Sequence, residues 1–268
     1  MRGIGITRAL VEHVPETAIP LLVILTHIGD PVVVAGISTI VVWYGSRFNI
    51  IDPQDAPRLL VVTLIGLALV SALKGWFDFP RPPPNITKVV IDGSGFPSGH
   101  VLSSTIVFGA IAALGTWMSV QARYIIASGL VLLVALTRLA LGVHYFVDVL
   151  VAAAIGIVGL YIGLHITTVN ISFGLVAALV IGILALTGGI STRATLTLGG
   201  SIGVTAGWVF RKGDLLDTPP ITRTILGSFL LAVVLMIYKV NPGPATVFVV
   251  GIVGGIGVVL TPIQKVSR

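Results

Sequence analysis

Nine apolar runs dominate the sequence, at about 31–46, 57–73, 100–118, 122–141, 144–165, 169–187, 193–210, 222–238 and 243–262. A helix needs about 20 apolar residues to cross the hydrocarbon core of a bilayer. Most of these runs come close to that length, and polar turns separate them. With 55% hydrophobic and only 10% charged residues, the chain of 268 lacks the polar surface to coat a soluble globule. Soluble domains carry about 25% charged residues. The expected fold is therefore all-α: a polytopic transmembrane helical bundle of about nine spans. An earlier run, 17–28, has only 12 residues between Glu16 and His27–Asp30. It reads as interfacial or re-entrant, with a full span as the alternative. No leader with a long apolar core and a small-residue cleavage site is visible.

The composition excludes several classes. With no cysteine there is no disulfide framework, thiolate metal site or cysteine nucleophile. The net charge of +6 comes from cations scattered between apolar runs. Membrane orientation explains it better than nucleic-acid binding does. Lys and Arg are divided eight and eight between the two faces that nine spans define. Setting aside Lys74, Arg81 and Arg138, which are assigned to chemistry below, leaves eight against five. The positive-inside rule then places the 74–99 loop outside the cytoplasm.

Ionisable residues close to a bilayer are costly, so their default reading is functional. Here they fall in three stretches on the same face. The first runs from Lys74 to Arg81 and Pro82, the pattern K-x6-R-P. The second is Phe96-Pro97-Ser98-Gly99-His100. The third runs from Arg138 through His144 to Asp148, the pattern R-x5-H-x3-D. Three fixed cations beside two histidines suit a substrate of concentrated negative charge. Arg offers a planar fork for phosphate oxygens, and Lys a point charge. Pro-Ser-Gly ahead of a helix supplies a hydroxyl and free backbone N–H groups that favour an anion. His144 and Asp148 are four apart and share a helix face. A carboxylate there fixes the imidazole tautomer and steadies the cation formed in reaction. His144 is thus a candidate nucleophile and His100 a candidate general acid. The scheme calls for no metal and no cofactor.

These three stretches resemble the signature of the type 2 phosphatidic acid phosphatase (PAP2) superfamily. Ten fixed positions match in order, with Thr137 where the family has serine before the arginine. The resemblance implies a metal-independent phosphatase working through a phosphohistidine. It implies His144 as nucleophile, Asp148 as its orienting partner and His100 as acid and then base. Lys74, Arg81, Arg138, Ser98 and the Gly99 N–H would hold the phosphoryl oxygens. It further implies a membrane lipid phosphate or diphosphate as substrate, at the outer surface of the cell membrane. Residues 1–166 would form the catalytic core and 167–268 a four-span extension.

The remaining polar residues have plainer readings. Asp78 is expected to structure its loop. His13, His27 and His165 are read as interfacial, and Trp43, Trp76, Trp117 and Trp208 as an aromatic belt. Gly199, Gly203 and Gly207 form one small-residue ladder, and Gly251 with Gly255 another. Packing within the chain is the favoured use of these ladders, with a homodimer as the alternative. Besides hydrolysis, two other functions are compatible with the sequence: phosphotransfer to an acceptor hydroxyl, and transport of phosphate or an anionic lipid.

Overall fold

The computed structural model describes residues 3–212 and 243–260, and their regular structure is helical. In chain order the helices are α1 (Ile4–Glu12), α2 (Ile19–Thr26), α3 (Pro31–Tyr44), α4 (Ala56–Phe77) and α5 (Gly99–Leu114). They continue with α6 (Val120–Ala140), α7 (Phe146–Val169), α8 (Ile171–Thr187), α9 (Thr192–Lys212) and α10 (Pro244–Leu260). The expected run at 222–238 lies outside the described residues.

Helices α4, α6 and α7 are long and apolar enough to cross a membrane, whereas α3, α5, α8 and α10 are apolar but shorter. The chain is thus a membrane protein with at least three such spans. The expectation of about nine full-length spans is met in position more often than in length. Helix α1 and the segment Glu16–Gly29 together have the length of a span but are bent by 97°. That bend matches a broken or re-entrant passage for 17–28.

Local chemistry sets the helix ends. Helix α4 starts behind Asp55 with a proline in its first turn and stops at Asp78, whose φ is 20°. Prolines at 80 and 82–84 forbid its continuation. Helix α6 begins at Ser119, whose hydroxyl accepts from the Ala122 N–H at 3.3 Å. It runs into Gly142 at φ 70°, where a side chain would strike the Ile86 carbonyl. Helix α7 then opens with Asp148 reaching back to accept from the Tyr145 N–H at 2.9 Å.

Helix α4 is the axis of the molecule. Its apolar window is 67% buried, against 22% for α6 and α7, whose outer faces are left for lipid. One core groups Leu59, Val62 and Val70 of α4 with Leu102 and Ile106 of α5, Val134 of α6 and Val149 of α7. A second joins Val61 and Ile65 of α4 to Leu175 and Ala178 of α8, Val204 of α9 and Val259 of α10. The C-terminal helices therefore pack on α4 rather than standing apart.

Two backbone crossings hold this side. A Cβ on Gly75 would lie 3.1 Å from Gly188 Cα, so α4 and the end of α8 touch main chain to main chain. The glycine ladders of α9 and α10 face each other with the helices parallel. A side chain on Gly203 would strike the Ile252 carbonyl, and one on Gly255 the Gly200 carbonyl. Close approach of small residues supplies the van der Waals contact that drives helix association in lipid. The tryptophans depart from the belt expectation in one case. Trp43 is only 8% exposed, and its indole donates to the Val258 carbonyl at 3.0 Å. A buried indole N–H seeks a partner, and α10 provides it.

Gly203→Leu is expected to force α9 and α10 apart and lower the apparent Tm in detergent by several degrees, an overpacking cost of about 1–3 kcal/mol. Gly36→Ala, where an added Cβ meets nothing within 4 Å, is expected to leave it unchanged. Thermal unfolding of the two variants side by side checks this.

Candidate active site

The ends of α2, α4, α6 and α8 meet the starts of α3, α5, α7 and α9 at one end of the bundle. All three motif stretches lie there. Lys74 is on the last turn of α4, Arg81 follows in the loop, His100 is on the first turn of α5 and Arg138 on the last turn of α6. His144 sits in the α6–α7 turn and Asp148 on the first turn of α7. Lys74, Arg81, Gly99, His100, Arg138 and His144 all line one cavity of about 820 Å³.

Three consecutive carbonyls organise the cluster. Arg81 Nε donates to Gly93 O at 3.0 Å, Lys74 Nζ to Ser94 O at 2.7 Å, and His144 Nδ1 to Gly95 O at 2.6 Å. Gly93 has φ 83°, which favours glycine. A Cβ on Gly95 would lie 2.9 Å from the Pro80 carbonyl. Gly95 N–H donates to Phe79 O at 2.7 Å, which folds the loop back on itself.

His144 is 1% exposed and its tautomer is set by this contact. Since a carbonyl only accepts, the proton is on Nδ1, and Nε2 keeps its lone pair. Nε2 faces Arg81 Nη1 at 3.4 Å. Arg81 Nη1 also donates to Val143 O at 2.9 Å. Asp148 stands behind the ring, with Oδ2 3.6 Å from Nδ1. The close orienting partner is thus the Gly95 carbonyl, with Asp148 as the neighbouring negative charge. Burial, then the charges of Arg138, Arg81 and Lys74, push the His144 pKa well below its ordinary 6.5, while the Gly95 bond opposes them. The imidazole is therefore neutral at pH 7. Burial, and next the Arg193 charge, lower the Arg81 pKa from its ordinary value, and a guanidinium still stays charged.

Two of the residues expected to hold an anion have unfilled hydrogen-bonding capacity. Arg138 is 1% exposed and gives one hydrogen bond, from Nη1 to Thr26 Oγ1 at 3.1 Å. Its buried Nε has no partner, and neither has Ser98 Oγ. Buried polar atoms without partners call for a ligand or a water. The Ser98 backbone N–H is committed to Asp148 O at 3.1 Å, which ties the second motif to the third. Gly99 leaves space that a Cβ would take from Lys74 Cε at 2.9 Å. Thr137 does not join the site: its hydroxyl donates to Val134 O at 2.7 Å on its own helix. Among the described residues, no group of three or more His, Asp or Glu is placed to hold a metal ion.

The structure adds residues that the motifs do not contain. Arg193, at the start of α9, lines the same cavity and brings a fourth cation to it. His27 and Asp30 line it as well, paired at 3.5 Å, so His27 is part of the cavity wall rather than only interfacial. A basic residue at a span end carries no mark of this in sequence. The Gly95 carbonyl carries none either, because any residue has a carbonyl.

Gly95→Val is expected to displace the 93–95 carbonyls and lower kcat/KM on any substrate by about 10²-fold or more, the scale of a small misplacement of reacting groups. Because His144 is buried neutral, the unfolded chain binds more protons below pH 6.5, and stability falls as pH drops through that value. Thermal unfolding between pH 7 and 5 is expected to show a smaller acid loss for His144→Asn than for the wild type.

The family model described as the PAP2 superfamily matches residues 56–172. One solved structure aligns over 60% of this chain and 82% of its own, with a TM-score of 0.52 and 24% identity. It is the first transmembrane PAP2 type phosphatidylglycerolphosphate phosphatase from Bacillus subtilis. At that identity the likeness speaks for the fold. No curated protein matches the chain. The matched segment contains all three motifs and the whole cation cluster except Arg193, and over residues 56–172 this chain is similar to the PAP2 superfamily.

Proposed function

We propose that the protein is a membrane lipid phosphatase that cleaves a phosphoryl group from its substrate through a phosphohistidine on His144. One observation carries this reading: His144 Nδ1 is committed to Gly95 O at 2.6 Å, which leaves Nε2 unprotonated beside Arg81 in the cation-lined cavity. A site built only to bind an anion has no use for a buried neutral imidazole with its lone pair turned toward the cations. The family and the fold of the phosphatase neighbour support the same class of chemistry.

The reaction follows from the groups in place. Lys74, Arg81 and Arg138 take up the phosphoryl oxygens, with the unpaired Arg138 Nε and Ser98 hydroxyl as further donors. The Nε2 lone pair of His144 attacks phosphorus in line, and the bond from phosphorus to the lipid oxygen breaks. His100, in the second motif, takes up a proton when the phosphate dianion binds and, as the imidazolium, gives that oxygen its proton. The phosphorylated imidazolium keeps its Nδ1 proton against Gly95 O, and the Asp148 carboxylate offsets its charge. His100 then takes a proton from water, whose oxygen attacks phosphorus and breaks the P–N bond. Inorganic phosphate leaves and both histidines return to their starting states.

The substrate class is a polyprenyl phosphate or diphosphate, or a lipid of phosphatidate type. The charge count along the loops supports an extracytoplasmic site on the cell membrane.

The test is phosphate release by the purified chain in detergent with EDTA, using a polyprenyl diphosphate, a polyprenyl monophosphate and phosphatidate. Release is expected to persist in EDTA. It should fall by about 10³-fold or more in His144→Ala and by about 10²–10⁴-fold in His100→Ala. Wild-type activity that disappears with EDTA, or that survives His144→Ala, overturns the mechanism. Inorganic phosphate is expected to raise the apparent Tm of the wild type as a ligand of the native state. In Arg138→Gln this rise should be reduced.

A further inference from the structure

The cavity does not end at the cations. Below them it continues between four helices, along Thr39 of α3, Leu60 and Leu64 of α4, Gly200 and Val204 of α9, and Gly254 of α10. From Lys74 down to Leu60 along α4 is about 21 Å at about 1.5 Å per residue. That is some two-thirds of the roughly 30 Å hydrocarbon thickness. At the far end Val258 lines the cavity, and its carbonyl receives the Trp43 indole at 3.0 Å. Charged groups collect at the upper end, and the walls below are aliphatic or glycine with a few hydroxyls. The Thr39 hydroxyl is already spent on Ala35 O at 2.9 Å, so that wall presents mainly its methyl group. Three of the four walls, α3, α9 and α10, lie outside the segment that matches the family.

We propose that α9 and α10, with α3 and α4, form a binding channel for one hydrocarbon tail of the substrate, running on directly from the phosphoryl site. This rests on the lipid-phosphatase reading for the headgroup end. The α9–α10 pair builds its two sides from one helix surface each. Ladder residues Gly199, Gly203, Gly251 and Gly255 make the backbone contact that holds the pair together. Gly200 lends its backbone to that contact, but a Cβ there meets nothing within 4 Å, and the residue lines the channel. The same helix α9 starts with Arg193 at the charged end, so it spans the substrate from headgroup to tail. An apolar tail leaving water for such a channel gains binding with each methylene until the channel is full.

The experiment measures binding and is independent of turnover. Straight-chain alkylphosphonates from four to sixteen carbons carry a dianionic head and no P–O–C bond to cleave. Their affinity for the full chain in nanodiscs is measured for the wild type, Gly200→Leu and, from the facing wall, Thr39→Phe. Wild-type affinity is expected to rise at least about tenfold from four carbons to twelve and then level off. In at least one variant that rise should collapse to under about twofold while the four-carbon probe binds as before, which also shows the site is folded. A flat wild-type series, or a rise of the same size in both variants, overturns the proposal. If the chain-length dependence holds but no lipid phosphate is hydrolysed, the tail channel stands and the phosphatase reading falls.

Discussion

Everything at the charged end of this protein hangs on three successive carbonyl oxygens. Gly93, Ser94 and Gly95 accept from Arg81, Lys74 and His144 in turn. A carboxylate in that place would neutralise the cations it held. A carbonyl fixes them with a dipole and leaves their charge in place for an anion. Each hydrogen bond from a charged donor is worth about 1.5–3 kcal/mol, enough to hold a long side chain in one rotamer. The clasp thus settles position, tautomer and net charge together. It also explains why two glycines are needed in a loop that the motifs pass over.

Much of this was legible in the sequence, and the rest failed for identifiable reasons. Lys74, Arg81, His100, Arg138 and His144 stood out because charged and ionisable side chains are conspicuous against apolar runs, and one cavity collects all five. Asp148 was found too, but its expected place as the ring's direct partner is taken by the Gly95 carbonyl at 2.6 Å against 3.6 Å. No side-chain alphabet encodes a backbone acceptor. Thr26, which holds Arg138, and Arg193, which lines the same cavity, lie far from the motifs in sequence and look like ordinary span-end residues. Trp43 shows the opposite error. Its position suggested an interfacial ring, but a partner carbonyl on α10 draws it inside.

The span lengths carry a related lesson. Runs of apolar residues located α3, α5, α8 and α10 well, yet each helix falls short of full membrane length. Prolines, glycines and the motif segments themselves end the helices at the site. The fold therefore gives up regular structure where the chemistry is. Helix α4 can serve as the axis because its buried face is apolar along most of its length, with Lys74 only in the last turn. Both halves of the chain bury against it, so the extension and the matched segment share α4 as a common wall of their interiors.

The contact of Gly75 with Gly188 gives that shared wall a further meaning. It lies one residue from Lys74, and the Trp76 indole beside it donates to Thr187 at 2.8 Å. Two main chains in contact have no side chain to compress, so the end of α8 acts as a hard stop for the end of α4. A methyl group added at position 188, in a segment outside the three motifs, would reach the Lys74 amine as a lever reaches its load. For this protein, sequence variation in the α8–α9 turn belongs with variation in the candidate site.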